Sequence, residues 1–180
     1  DAFYQDVCRD YHDTFRKHAK WFRWHNNKQD SPSYGTVKAS AFNEAMQRID
    51  LIVGLNTNKS AAERNGGFIA DKEMEKLARG EDLPVSMACT IPFDKCSACG
   101  NEARHRAEYC TEATCKAGGC QENIGKLVKL GNDMHHLHVI NYRPRWFDIS
   151  LVGRPADRTA YAGKASWFSK DASDKSEVFN

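Results

Sequence analysis

Five of the seven cysteines fall between Cys96 and Cys120, and no other feature of the chain restricts its fold so strongly. Cysteines spread through a small secreted domain read as a disulfide framework, whereas a tight cluster reads as a metal site in a reducing cytosol. Zinc takes four ligands in a tetrahedron, and two cysteines separated by two residues can meet one ion from a single turn. Cys96 and Cys99 have that spacing, and after ten intervening residues "CTEATCKAGGC" offers Cys110, Cys115 and Cys120. The expected ligand set is Cys96, Cys99, Cys110 and Cys115, with Cys120 the rival for the last place. Four thiolates around a divalent cation leave two surplus negative charges, which Lys95, Arg104, Arg106 and Lys116 are near enough in sequence to offset. Four protein ligands also leave no open position for substrate or water, so the Zn2+ is expected to be structural. The block from Lys95 to Lys129 has few large apolar residues before Ile124 and needs such a staple to hold a shape.

At 180 residues the chain suits one compact domain carrying a small insertion. Its formal net charge of +2, with acids and bases interspersed, does not suit a dedicated nucleic-acid or membrane-surface protein. The cysteine block itself, counted from Asp94 to Lys129, holds six Lys or Arg against five Asp or Glu, too even a balance to grip phosphates. Nucleic acid is therefore not an expected partner. No stretch has the length and apolarity of a membrane span, and no signal-peptide pattern opens the chain. The first residue is Asp1, which points to a processed product or a fragment.

Hydrophobic periodicity sets out the elements. In "DAFYQDVCRDYHDTFRKHAKWF" the residues Phe3, Val7, Tyr11 and Phe15 recur at i+4 steps, the stripe of one helix. "WFRWHNN" reads as a short strand ending near His25. "YGTVKASAF" and "RIDLIVGL" read as an antiparallel pair of strands, and "TNKSAAERNGG" as loop. "DKEMEKLARG" has an acidic first turn, basic residues in its last turn and Gly80 beyond, the signals of a helix with both ends marked. "LPVSMACTI" alternates as a strand, with Val85, Met87, Cys89 and Ile91 on one face and Ser86, Ala88 and Thr90 on the other. "HHLHVINY" and "RWFDISLV" are further strands, the second with Asp148 facing outward, and "RPADRTAYAG" reads as a helix opened at Pro155. The residues 169–180 are polar and read as a tail or linker.

Taken singly, a strand serine, a histidine beside two asparagines and a strand aspartate are ordinary surface residues. Together they have the chemistry of acyl transfer, in which a base takes the proton of a hydroxyl nucleophile and a third group orients the base. Ser86, His25 and Asp148 could fill those roles if the fold brings them together.

The order of features resembles that of the tailed-phage prohead maturation proteases, relatives of the herpesvirus assemblins. "DAF" before a helix resembles the family's Gly-Ala-Phe entry, and "WFRWHNN" its hydrophobic stretch ending in the catalytic histidine. "SPSYGTVKASAF" resembles the Pro-x-Gly-x-Val strand, and "KLARGEDLPVSMACTI" the helix, glycine turn and strand that carries the nucleophile. "FDISLVGRPADRTA" is similar to the Glu-Val-Ser-Leu-Val-x-x-Pro-Ala signature, with Asp148 where the family often has an acid. The matches, in order, cover most of residues 1–165. The resemblance implies a serine endopeptidase with Ser86 as nucleophile, His25 as general base, and a third member that is either Asp148 or, as in the assemblins, a histidine among His135, His136 and His138. It implies an α+β fold, a mostly antiparallel β-barrel flanked by helices, built from residues 1–93 and 124–168, with 94–123 a zinc-binding insertion. Its implied partners are capsid and scaffold proteins and further copies of itself, inside a prohead assembling in the host cytoplasm. The other reading is a non-catalytic virion or scaffold protein that keeps a protease-like fold stabilised by zinc.

Overall fold

The computed structural model describes residues 2–28 and 30–163, so the expected tail at 169–180 lies outside the described residues. The protein is α+β. Its chain order is α1 (Gln5–Tyr11), α2 (Asp13–His18), β1 (Lys20–Arg23), β2 (Gly35–Asn43), β3 (Arg48–Leu55), α3 (Lys59–Arg64), α4 (Asp71–Ala78), β4 (Leu83–Thr90), β5 (Asp94–Cys96) and β6 (Glu102–Ala103). After a 3-10 turn at Arg106–Glu108 follow α5 (Cys120–Asn123), β7 (Leu127–Leu130), β8 (Asp133–His136), β9 (Val139–Asn141), β10 (Arg145–Leu151) and β11 (Tyr161–Ala162). Six strands hydrogen-bond in the order β11-β4-β10-β1-β2-β3, three in the order β6-β5-β9, and β7 pairs with β8 alone. No helix among the described residues is long and apolar enough to cross a membrane.

The chain divides into two compact units. The first takes the chain up to Ala19, Val37–Val53 and Ala88–Phe147, and contains the whole cysteine block. The second takes Lys20–Thr36, Gly54–Met87 and the chain from Asp148 onward.

In the first unit the expected single helix is two short ones, α1 and α2, meeting at His12. The apolar stripe still works as read at two of its positions, since Val7 and Phe15 are buried. Phe15 stacks on Trp146 with ring centroids 4.8 Å apart and planes 3° from parallel, and Phe3 meets the same indole at 5.6 Å. A second core is made of cysteines: Cys96, Cys110, Cys115 and Cys120 are buried together with Ala117, Leu137 and Val139. "HHLHVINY" is not one strand but parts of two. His135 and His136 end β8, while Val139–Asn141 forms β9 and pairs with β5.

In the second unit β1 lies parallel to β10 and antiparallel to β2. Trp21 and Phe22, neighbours in sequence and so on opposite faces, are both buried, which means that β1 is covered on both sides. The same holds for β10 from Asp148 to Leu151, and it corrects one expectation: Asp148 does not face solvent but is fully buried, as is Ser150. An alternating pattern cannot tell a solvent-facing polar row from a buried polar row whose hydrogen bonds are made internally. Two further expectations fail. Lys59–Arg64, read as loop, is a helix whose N-cap Asn58 accepts a bond from the Ala61 amide, and "RPADRTAYAG" contains turns and β11 in place of a helix. The helix at Asp71–Ala78 forms where its end signals put it, with Gly80 beyond it at φ +76°.

Candidate functional site

His25 is presented by a strained turn. Once β1 ends at Arg23, Trp24 and His25 both have left-handed backbone, with φ of 56° and 53°. Two consecutive non-glycine residues in that region cost on the order of 1–3 kcal/mol each and persist only when their surroundings fix them. The Trp24 amide is held by the Leu151 carbonyl at 2.8 Å, the Asn26 amide by the Arg23 carbonyl at 3.1 Å and the Asn27 amide by the His25 carbonyl at 2.8 Å. The indole of Trp24 lies against Gly153, where an added Cβ would stand 3.0 Å from its Cη2.

That turn brings the imidazole to β10. His25 Nδ1 donates to Asp148 Oδ2 at 2.6 Å, joining residues 123 positions apart. Asn27 Nδ2 donates to the same oxygen at 2.6 Å, and Ser150 Oγ donates to Asp148 Oδ1 at 2.6 Å. A carboxylate that receives three donors and no competing acceptor functions as an anion, so the ring proton belongs on Nδ1. Nε2 then carries the free lone pair. His25 keeps 38% of its side chain exposed, so that lone pair belongs to a residue open to an incoming molecule.

Ser86 is on β4, the strand next to β10, and half-buried. The Val152 amide donates to the Pro84 carbonyl at 3.0 Å, tying the two strands two residues before Ser86. Among the described residues the Ser86 hydroxyl makes no hydrogen bond with His25 or any other group. His135, His136 and His138 belong to the first unit, where the rings of His135 and His138 have their own partners. Ser97 Oγ bonds His135 Nε2 at 2.9 Å, Tyr4 Oη bonds His138 Nε2 at 2.9 Å, and His138 Nδ1 donates to the His136 carbonyl at 2.8 Å. The group bonded to His25 is Asp148. The sequence reading did not single out Asn27 and Ser150. The signal for Ser150 was there, since period two puts it on the face of Asp148.

The cysteine centre is assembled by tight turns. Cys96 ends β5, Gly100 turns the chain at φ +73°, and the Ala98 amide points at Cys96 Sγ from 3.4 Å. Gly119 approaches the loop so closely that a Cβ there would lie 2.4 Å from the Thr111 carbonyl carbon. This lets the Cys120 amide donate to Cys110 Sγ at 3.2 Å. The Sγ atoms of Cys96, Cys99, Cys110 and Cys115 all lie within 4.8 Å of one another. A tetrahedral ion with metal–sulfur bonds of about 2.3 Å asks for sulfurs about 3.8 Å apart, so the four thiols fit a metal ion, and the two amides are the outer donors thiolate ligands use. Cys120 stands just outside this set, with its Sγ 2.9 Å from that of Cys96. Burial works against ionising Cys96, but the Cys120 thiol and the amides of Cys99 and Ala98 outweigh it and bring the group down to about 7. Burial pushes Cys99 up to about 12.

Comparison of the chain with protein-family models, with curated proteins and with solved structures finds no match.

Proposed function

We propose that the protein is a serine endopeptidase of the prohead-maturation type, and the observation that carries this reading is the 2.6 Å bond between His25 Nδ1 and the buried carboxylate of Asp148. A carboxylate holding Nδ1–H fixes the imidazole in the tautomer whose Nε2 can act as a base, which is the orienting function of the third member of a hydrolytic triad. In the proposed reaction His25 Nε2 takes the proton of the Ser86 hydroxyl as Oγ attacks the scissile carbonyl. The resulting imidazolium, facing Asp148, then gives that proton to the leaving amine. Water, deprotonated by the same nitrogen, hydrolyses the acyl-Ser86 ester. The substrates are capsid and scaffold proteins, cut inside a prohead in the host cytoplasm where copies of the enzyme associate, and the sheet of the second unit is the remnant of a barrel of the assemblin kind. The ion at Cys96, Cys99, Cys110 and Cys115 is zinc in a structural role, since thiolates favour a soft divalent metal and four of them close its coordination.

One observation favours the second reading, a non-catalytic virion or scaffold protein: the Ser86 hydroxyl has no bond to His25 among the described residues. Catalytic hydrogen bonds are often long before substrate arrives, so the discriminating experiment is chemical. Incubation with a fluorophosphonate should phosphonylate Ser86 and no other serine. Labelling that is unchanged in Ser86→Ala, or no labelling at all, overturns the hydrolase reading.

A further inference from the structure

We infer that Asn27 and Ser150 are positioning residues that act through Asp148 to fix the proton on His25 Nδ1; the inference rests on the hydrolase reading only for its catalytic consequence. Asp148 is fully buried and so can be an anion only where protein donors replace water. Each of its oxygens has its own donor besides the imidazole: Ser150 Oγ on Oδ1, and Asn27 Nδ2 on Oδ2, each at 2.6 Å. The two act from different directions. Ser150 is two residues along the same strand and blocks rotation of the carboxylate about its Cβ–Cγ bond. Asn27 belongs to the turn that presents the histidine, and its own amide is bonded to the His25 carbonyl at 2.8 Å. It therefore ties the strained turn and the carboxylate together. Without Ser150 the plane of the carboxylate is free to turn away from Nδ1. Without Asn27 the left-handed pair at Trp24 and His25 loses one of its links to β10.

The test reads the ring proton itself, by nitrogen-15 NMR of the full chain labelled at histidine, in wild type, Ser150→Ala and Asn27→Ala. In the wild type His25 should show one tautomer, with its proton on Nδ1 and slow exchange with solvent. Each variant should speed that exchange about 10-fold, the weight of one lost hydrogen bond to a charged group. A variant with the wild-type exchange rate removes its residue from the positioning role, and wild-type rates in both overturn the inference. Asn27 is half-buried in a turn, so Asn27→Ala probes the carboxylate even where Ser150→Ala disturbs the sheet. In an active preparation the same variants should lower kcat about 10-fold with KM unchanged. Because exchange is measured on His25, it is independent of Ser86. Loss of fluorophosphonate labelling with a protected ring proton sinks the hydrolase and leaves the positioning, whereas labelling with unprotected, variant-insensitive exchange does the reverse.

Discussion

In the first unit, around the cysteine centre, four thiols are themselves the core: Cys96, Cys110, Cys115 and Cys120 are the buried residues, supported by one alanine, one leucine and one valine. In the second unit the buried residues include Trp21, Phe22, Leu83, Ile149 and Leu151, and the polar site sits on a sheet that such side chains already hold. The difference concerns what each site depends on. Apolar burial contributes about 1.5–3 kcal/mol per large side chain whatever is bound nearby, whereas closely packed thiols contribute little until an ion binds them, and four thiolates without one repel. On the proposed metal-bound reading the cysteine region stands or falls with an ion, while the His25–Asp148 site stands on the sheet and uses polar bonds for geometry.

The largest expected effect tests that dependence directly. Structural zinc in small modules contributes on the order of 10–16 kcal/mol of apparent binding free energy at neutral pH, more than a short three-stranded sheet can replace. Stripping the metal with a chelator, or the double variant Cys96→Ser with Cys110→Ser, should abolish amide protection from Cys96 to Val139. Hydrogen exchange followed by mass spectrometry should show the β1 and β10 amides much less affected. Equal loss in both regions would show that the sheet, too, depends on the ion.

Next in size is the orienting carboxylate. Asp148→Asn keeps the shape of the side chain but offers an amide where Nδ1–H needs an acceptor, which favours the wrong imidazole tautomer. Cleavage of a scaffold substrate should fall about 10⁴-fold with the melting temperature little changed, because Ser150 can still bond the remaining carbonyl oxygen. A fall of less than about 10-fold would assign His25 another orienting group or no catalytic role.

The two regions also differ in how much of them was legible in the chain. Cys96 and Cys99 announce themselves because a metal turn is local: two intervening residues suffice, and the fold brings their Sγ atoms together with those of Cys110 and Cys115. Even there, spacing preferred Cys115 but kept Cys120 as its rival for the last place, and it is the three-dimensional path of the loop that groups the Cys115 sulfur with the other three. The contact between His25 and Asp148 spans 123 positions and depends on β1 pairing with β10, which no local pattern encodes; there a resemblance supplied candidates that residue chemistry could not rank. Burial of Asp148 was misread for the same reason. Its outward pattern is that of any half-exposed strand, and the turn whose His25 and Asn27 bond its carboxylate comes from elsewhere in the chain. Asn58 as an N-cap was missed on local evidence, because the short apolar content of Lys59–Arg64 hides a helix of under two turns.

A smaller effect probes the second unit where it carries buried charge. Glu73 is completely buried and receives two bonds from Arg23, from Nε and Nη2, each at 2.7 Å, while the Arg23 guanidinium lies 3.8 Å above the Tyr34 ring. Arg23 ends the strand that leads into the His25 turn. Glu73→Gln leaves the guanidinium without its buried counter-charge and should cost about 3 kcal/mol in chemical denaturation, the lower end for breaking such a pair because Arg23 retains some exposure and a contact with Asp71. Cleavage at a temperature where the variant is folded should be retained, since no atom of Glu73 bonds His25 or Asp148. Lost cleavage in a folded Glu73→Gln would mean that the ion pair sets the turn as well as the stability.

The smallest effect separates a ligand from its neighbour. Cys120 is the most deeply buried of the cluster and its sulfur is only 2.9 Å from that of Cys96, yet it is not among the four whose sulfurs all lie within 4.8 Å of one another. Its backbone amide, which donates to Cys110 Sγ, survives any change of side chain. Cys120→Ser should therefore keep one metal per chain by native mass spectrometry and weaken binding only about 10-fold, the scale of a lost outer-shell contact. Cys115→Ser, also at a buried position, should lose the metal altogether. The opposite result, with Cys120→Ser empty and Cys115→Ser loaded, would move the fourth ligand to the start of α5. The loop from Cys110 to Cys115 would then be held by its Thr111 and Thr114 hydrogen bonds and not by the ion.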